Sequence, residues 1–163
     1  MSLSEFKGKV VVIDFWATWC SWCRKTTQEL EKIHKDYTGK GVVIVGISMD
    51  TGHDAGRKVT EFAGKYGLSY PMLLDDGKVS RQYGINKIPT SLILNEEHII
   101  TRIYPGYLPG LGERIVDAIE ESLLKPRGSS AGGRKLLANA ESRDIIRVCW
   151  HNWLTAPGLE TGR

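Results

Sequence analysis

The stretch Val10 to Arg24, VVVIDFWATWCSWCR, constrains the fold more than any other part of the chain. Val10 to Phe15 is of buried-strand type and apolar on both faces, broken only by Asp14. Such a run suits a central parallel strand covered on both sides. Trp16-Ala17-Thr18-Trp19 then leads into Cys20 and Cys23, and a helical pattern starts at Ser21. The reading is a strand that delivers a Cys-x-x-Cys pair to the first turn of a helix. The unpaired N–H groups of a helix start carry partial positive charge and stabilise an anion there. Cys20 is therefore the candidate nucleophile. Cys23 lies one turn further on the same side, within reach of the Cys20 sulfur. A thiolate is the attacking species in disulfide exchange, so this placement favours thiol–disulfide chemistry.

The segments downstream build a fold around that unit. Ser21 to Tyr37 reads as a helix, with Leu30, Ile33 and Tyr37 on one face and Glu29, Glu31, Lys32 and Lys35 facing out. Gly39 and Gly41 stop it, and Val42 to Ile47 reads as a second buried strand running into Ser48-Met49-Asp50. Strand, helix and strand at this spacing predict a right-handed βαβ unit with a parallel sheet. His53 to Tyr66 is a second amphipathic helix closed by Gly67, and Tyr70 to Leu74 a short strand. Asp75-Asp76-Gly77 is a turn, and Val79 to Tyr83 a short helix. Ser91 to Asn95 and Ile99 to Tyr104 read as strands joined by a hairpin connection that lacks the Asn-Gly signal. Leu108 to Leu123 is the last long helix, ended by Pro126. The fold class is α/β, with a helix-plus-strand insertion after the first βαβ unit. One domain is expected over 4–125, a Gly/Ser linker over 126–133, and a tail over 134–163. In the tail, Ile146, Cys149, Trp150 and Trp153 have the spacing of one short helix; a disordered extension is the alternative.

Charge and cysteine usage narrow the function classes. A net charge of +3, not gathered in one block, argues against a nucleic-acid partner. No apolar run reaches the length of a membrane helix, and Met1 to Lys9 is polar, unlike a secretory leader. Entry into a core strand directly after Lys9 fits a chain trimmed of an upstream segment. Three cysteines, two of them adjacent in function and Cys149 remote, do not form a disulfide framework. Half of a zinc site is the competing reading of Cys20 and Cys23. It needs two more ligands, and His34, His53, His98 and His151 are scattered without metal spacing. No metal site and no cofactor are expected.

Three further features surround the pair. Asp14 stands where a Val or Ile belongs. A carboxyl inside a sheet has its pKa raised and can relay a proton to or from Cys23; the plainer reading is a hydrogen-bonded strand-end residue. Trp16 reads as core, whereas Trp19 and Trp22 read as a docking surface beside the thiols. Pro89 enters a strand without an N–H to donate. It is either an ordinary trans edge proline or a cis residue that leaves the Ile88 backbone open to an extended substrate.

Asp14-Phe15-Trp16-Ala17-x-Trp19-Cys20-x-x-Cys23, followed by Ile88-Pro89-Thr90, resembles the thioredoxin superfamily over roughly residues 5 to 124. Phe6-Lys7-Gly8-Lys9-Val10-Val11-Val12 and the insertion from about Thr51 to Leu74 are most similar to its TlpA-like branch. The resemblance implies a central mixed sheet flanked by helices, a Cys20–Cys23 redox pair, and Pro89 in cis facing it. It also implies protein disulfide substrates, an upstream thiol reductase and an extracytoplasmic setting. Thr26 stands where the cytochrome-maturation members carry a glutamate, and Ser21-Trp22 differs from the family's usual dipeptides. The expected activity is protein thiol–disulfide exchange in the reducing direction. A copper-handling thiol module and a thiol peroxidase are the alternatives.

Overall fold

The computed structural model describes residues 2–124. The expected linker, the tail with its short helix and Cys149, and the Pro126 helix stop lie outside the described residues. A 3-10 turn, Leu3–Phe6, precedes β1 (Val10–Trp16), α1 (Ser21–Tyr37), β2 (Val42–Ser48), α2 (Ala55–Tyr66) and β3 (Met72–Leu74). Then follow α3 (Lys78–Gln82), β4 (Thr90–Leu94), β5 (Ile100–Pro105) and α4 (Leu111–Leu124). The strands form one sheet in the order β3-β2-β1-β4-β5. β1 runs parallel to β2 and β2 to β3; β4 is antiparallel to both β1 and β5. This is the expected mixed sheet of the thioredoxin-like fold, with α2 and β3 inserted after the β1–α1–β2 unit.

Every residue of β1 is buried because it is the central strand and both faces are covered. Val10 and Val12 point into a core built with Leu30 and Ile33 of α1 and Leu111, Ile115 and Ile119 of α4. Val11, Ile13 and Phe15 point the other way, against Leu3, Leu73, Leu92 and Val79 of α3. That second face is closed by short pieces rather than by a long helix. At the end of β1, Trp16 gathers Cys23 and Val59 and Phe62 of α2 around itself.

Local chemistry sets several boundaries away from their expected places. The final helix starts at Leu111, not Leu108. Pro109 disfavours the helical region for the residue before it, and Gly110 sits at φ +74°, so Leu108 stays outside and 44% exposed. β3 starts at Met72 because Pro71 cannot donate, although its carbonyl accepts from Gly46 N–H at 2.9 Å. The β4–β5 connection substitutes Asn95 for an Asn-Gly turn. The Asn95 side chain accepts from Glu97 N–H (3.2 Å) and Ile99 N–H (2.8 Å), and His98 takes the left-handed position at φ +59°. Asp75 does more than turn the chain. Its carboxylate accepts from the amides of Gly77, Val79 and Ser80 and so caps α3.

One surface assignment on α1 is corrected. Glu31 does not face out; it is buried, at 6% exposure. Its carboxylate accepts from Ser69 N–H and from the Ser69 hydroxyl, both at 2.7 Å, and pairs with Lys35 at 3.1 Å. Burial pushes its pKa up, but the Ser69 bonds and Lys35 together hold it below the usual value. Helix periodicity misplaces it because the loop before β3 folds back over that side of α1.

Candidate active site

Cys20 and Cys23 are joined in a disulfide with their Cα atoms 5.3 Å apart. Cys20 is the N-cap of α1, and its sulfur accepts a hydrogen bond from Cys23 N–H at 3.1 Å. No acidic residue occupies the first turn, so nothing there offsets the positive end of the helix. The two sulfurs differ in access. Cys20 is partly exposed, whereas Cys23 is fully buried against Trp16.

The loop that presents the pair is tied down from β2. Asp50, 4% exposed, accepts from Thr18 N–H at 2.8 Å and from the Thr18 hydroxyl at 2.6 Å. Ser48 donates to the same carboxylate at 2.7 Å, and Met49 N–H donates to Trp16 O at 2.8 Å. No local pattern marks Asp50 as a site residue; its only signal in the sequence is an acid just past the end of a buried strand.

Asp14 is fully buried in mid-strand, not at a strand end. Its neighbours across the sheet are Gly46 on β2 and Ser91 on β4. The Ser91 hydroxyl donates to Oδ1 at 2.8 Å, and Oδ2 has no hydrogen-bond partner among the described residues. Burial pushes the carboxyl up to about 7, against a smaller lowering by Ser91. Asp14 shares a face of β1 with Trp16, which packs on Cys23. Trp16 Nε1 and the Tyr70 hydroxyl are likewise buried without a hydrogen-bond partner among the described residues. Burial, then the charges of Asp14 and Glu31, drive the Tyr70 phenol well above its ordinary pKa. Gly46 is what lets these groups meet: a Cβ there would lie 2.6 Å from Met72 Sδ, 3.0 Å from Trp16 Nε1 and 3.2 Å from Tyr70 Cε2.

Ile88–Pro89 is a cis peptide bond, which resolves the alternative left open by the residues alone. Pro89 is buried, and Ile88 packs against the Trp16–Cys23 cluster. Among the described residues, no main-chain partner hydrogen-bonds the Ile88 backbone. Pro89 O accepts from Gly106 N–H at 2.7 Å, which holds the β5–α4 loop beside this turn. Trp19 and Trp22 are 71% and 54% exposed, large apolar surface beside a disulfide. Trp22 stacks on Tyr107 of that loop, ring centroids 5.3 Å apart and planes 16° from parallel. Lys25 Nζ lies 4.7 Å from the Trp22 centroid and 5.6 Å from that of Tyr107. The Tyr107 hydroxyl donates to Glu29 Oε1 at 3.2 Å. Neither Tyr107 nor Lys25 carries a local signal in the sequence; Tyr107 falls between the predicted strand Ile99 to Tyr104 and the predicted helix Leu108 to Leu123. Among the described residues, no group of three or more His, Cys, Asp or Glu side chains is arranged to hold a metal ion.

Residues 1–103, from the N-terminal turn into β5, match the model of the AhpC/TSA family. The chain belongs to that family. The thioredoxin-like protein YneN of Bacillus subtilis is 35% identical over 105 residues, 64% of this chain and 61% of its own length. The thiol-disulfide oxidoreductase ResA of Halalkalibacterium halodurans is 33% identical over 127 residues, 77% of this chain and 68% of its own. Among solved structures, the Chlorobium tepidum protein assigned as thiol:disulfide interchange protein DsbE superposes with a TM-score of 0.69. It is 26% identical and the match covers 74% of this chain and 84% of that one. These relatives place the family member in the TlpA-like branch. By family, fold and bonded dithiol it is classed with the thiol–disulfide oxidoreductases. No helix among the described residues is long and apolar enough to cross a membrane.

Proposed function

We propose that the protein reduces disulfides in other polypeptides through the Cys20–Cys23 couple. The observation that carries this is the asymmetry of a bonded pair at the start of α1: Cys20 is reachable and Cys23 buried. In the reduced protein, the Cys20 thiolate attacks one sulfur of a substrate disulfide. A Cys20–substrate disulfide forms, and the other substrate sulfur leaves as a thiolate that takes up a proton. Cys23 then loses its proton and attacks the Cys20 sulfur. This closes the Cys20–Cys23 disulfide and releases the second substrate thiol, so two electrons pass from protein to substrate.

Asp14 is the proposed acceptor of the Cys23 proton. A buried carboxyl that titrates near neutrality can serve as base and give the proton up again. Ile88, with its main chain open, is the proposed pairing edge for an extended substrate segment, and Pro89 holds that edge. Trp19 and Trp22 supply the apolar docking surface. An upstream thiol reductase would restore the dithiol. For location, the resemblance to the TlpA-like branch supports an extracytoplasmic setting.

The test is a pair of serine variants with insulin as substrate. Cys20→Ser should abolish disulfide reduction, and Cys23→Ser should accumulate mixed disulfides at Cys20. Full activity in Cys20→Ser would sink the mechanism. A couple potential near about −270 mV fits a reductant, and one near about −120 mV would reverse the proposed direction. Oxidation of Cys20 by peroxide faster than exchange with protein disulfides would favour a peroxidase instead.

A further inference from the structure

The Trp22–Tyr107 stack carries a cation whose placement the exchange chemistry does not use. Lys25 has a natural ion-pair partner in Glu29, four residues on along the same helix face. No Lys25–Glu29 ion pair forms among the described residues. Instead, Glu29 is turned beneath Tyr107, with Oε1 accepting from the phenol and Oε2 buried. The Lys25 ammonium lies over both aromatic rings, on the exposed side of the first turns of α1. Arg24 similarly rests over Tyr66, 5.6 Å from its centroid. Two cations thus flank the redox pair, and the first turn offers no carboxylate. Because Gly106 is bonded to Pro89 O, the stack is continuous with the Ile88–Pro89 turn.

We propose that Trp22, Tyr107 and Lys25 form a specificity subsite for substrate segments carrying Asp or Glu beside the reactive cysteine. The inference rests on the oxidoreductase reading and deepens it. The stacked rings take the aliphatic stem of the acidic side chain, and the Lys25 ammonium takes its carboxylate. The Lys25 ammonium makes no ion pair among the described residues, so it is open to this carboxylate. Complementary charge at a docking rim acts on encounter and orientation more than on final affinity, and is screened by salt.

The probes are otherwise identical synthetic peptides, each closed by one disulfide and bearing aspartate, asparagine or lysine next to its cysteines. The reduced protein is expected to reduce the aspartate peptide with a kcat/KM roughly threefold above the asparagine peptide at low salt. The lysine peptide should be slowest, and the differences should shrink at high ionic strength. Lys25→Gln should bring the aspartate-to-asparagine ratio close to one. Lys32→Gln, which removes the same charge from further along α1, should leave that ratio as it was. Equal rates for all peptides, or an equal loss of preference in Lys32→Gln, would overturn the inference while leaving the oxidoreductase reading intact. Failure to reduce any peptide would overturn that reading and this inference together. A concentration-dependent dimer lost in Trp22→Ala, with no charge preference, would overturn it in favour of a second copy of the chain as occupant.

Discussion

At the scale of single residues, Asp14 has the most to explain. Its carboxyl lies in the middle of the central strand with one oxygen on Ser91 and the other without a partner among the described residues. An acid whose folded-state pKa lies above its unfolded value favours folding while it is protonated. For Asp14 that contribution is complete below about pH 3.8 and is lost as pH rises through about 7. The shift corresponds to roughly 4 kcal/mol at most. Asp14→Asn is therefore expected to stabilise the oxidised protein by about 2–4 kcal/mol at pH 8, with the gap closing towards pH 4. Urea unfolding across that pH range checks it; a pH-independent difference would mean that Asp14 is not the titrating group. The same variant should slow closure of the Cys20–Cys23 disulfide and remove an inflection near pH 7 from its rate profile. Stopped-flow resolution of a mixed disulfide reads that step separately from the first attack.

At the scale of elements, the redox pair is held by a loop rather than by α1 alone. Asp50 at the end of β2 ties Thr18 through amide and hydroxyl, and Ser48 steadies Asp50 in turn. Asp50→Ala leaves buried donors without an acceptor and is expected to destabilise the fold by about 2–4 kcal/mol. Hydrogen exchange at the Thr18 amide should accelerate by more than that of core β1 amides; equal acceleration would place the effect in the fold as a whole. β1 and β2 also meet at Gly46, where the wall of Trp16 and Tyr70 leaves no room for a side chain. Met72 can move, being flexible and at the short edge strand, but the two rings are buried on all sides. Gly46→Ala should cost about 1–3 kcal/mol, measured by thermal or urea unfolding. A neutral result would show that the rings yield more easily than their burial suggests.

At the scale of the whole molecule, the site is assembled at one end of the sheet from four separate connections. These are the β1–α1 loop with Cys20, the segment after β2 with Asp50, the α3–β4 turn with Pro89, and the β5–α4 loop with Tyr107. The carboxyl ends of β1 and β2 point at this end, while β4 runs the other way beside β1, a common location for sites in open α/β sheets. The stretch Arg127 to Gly133 is Gly/Ser-rich in sequence, the composition of a linker. Limited proteolysis is expected to cut within it and leave a product that keeps full disulfide exchange. Loss of exchange on cleavage would assign the segment after Lys125 a part in the site.

The sequence by itself determined the elements and the redox pair. Strand and helix periods are short-range signals, and Cys20 and Cys23 are set by one helical turn. Their bond and the Ser21–Tyr37 helix follow from residues close together in the chain. Only the tertiary structure decided the supporting contacts, because they join residues far apart in sequence. Thr18 meets Asp50 across 32 residues, Glu31 meets Ser69 across 38, Asp14 meets Ser91 across 77 and Glu29 meets Tyr107 across 78. No local pattern encodes such pairs, so Glu31 reads as surface, and Asp50 and Tyr107 carry no mark of a site. The sheet order brings them together, and with them the depth of Asp14 and the aromatic wall beside Cys20.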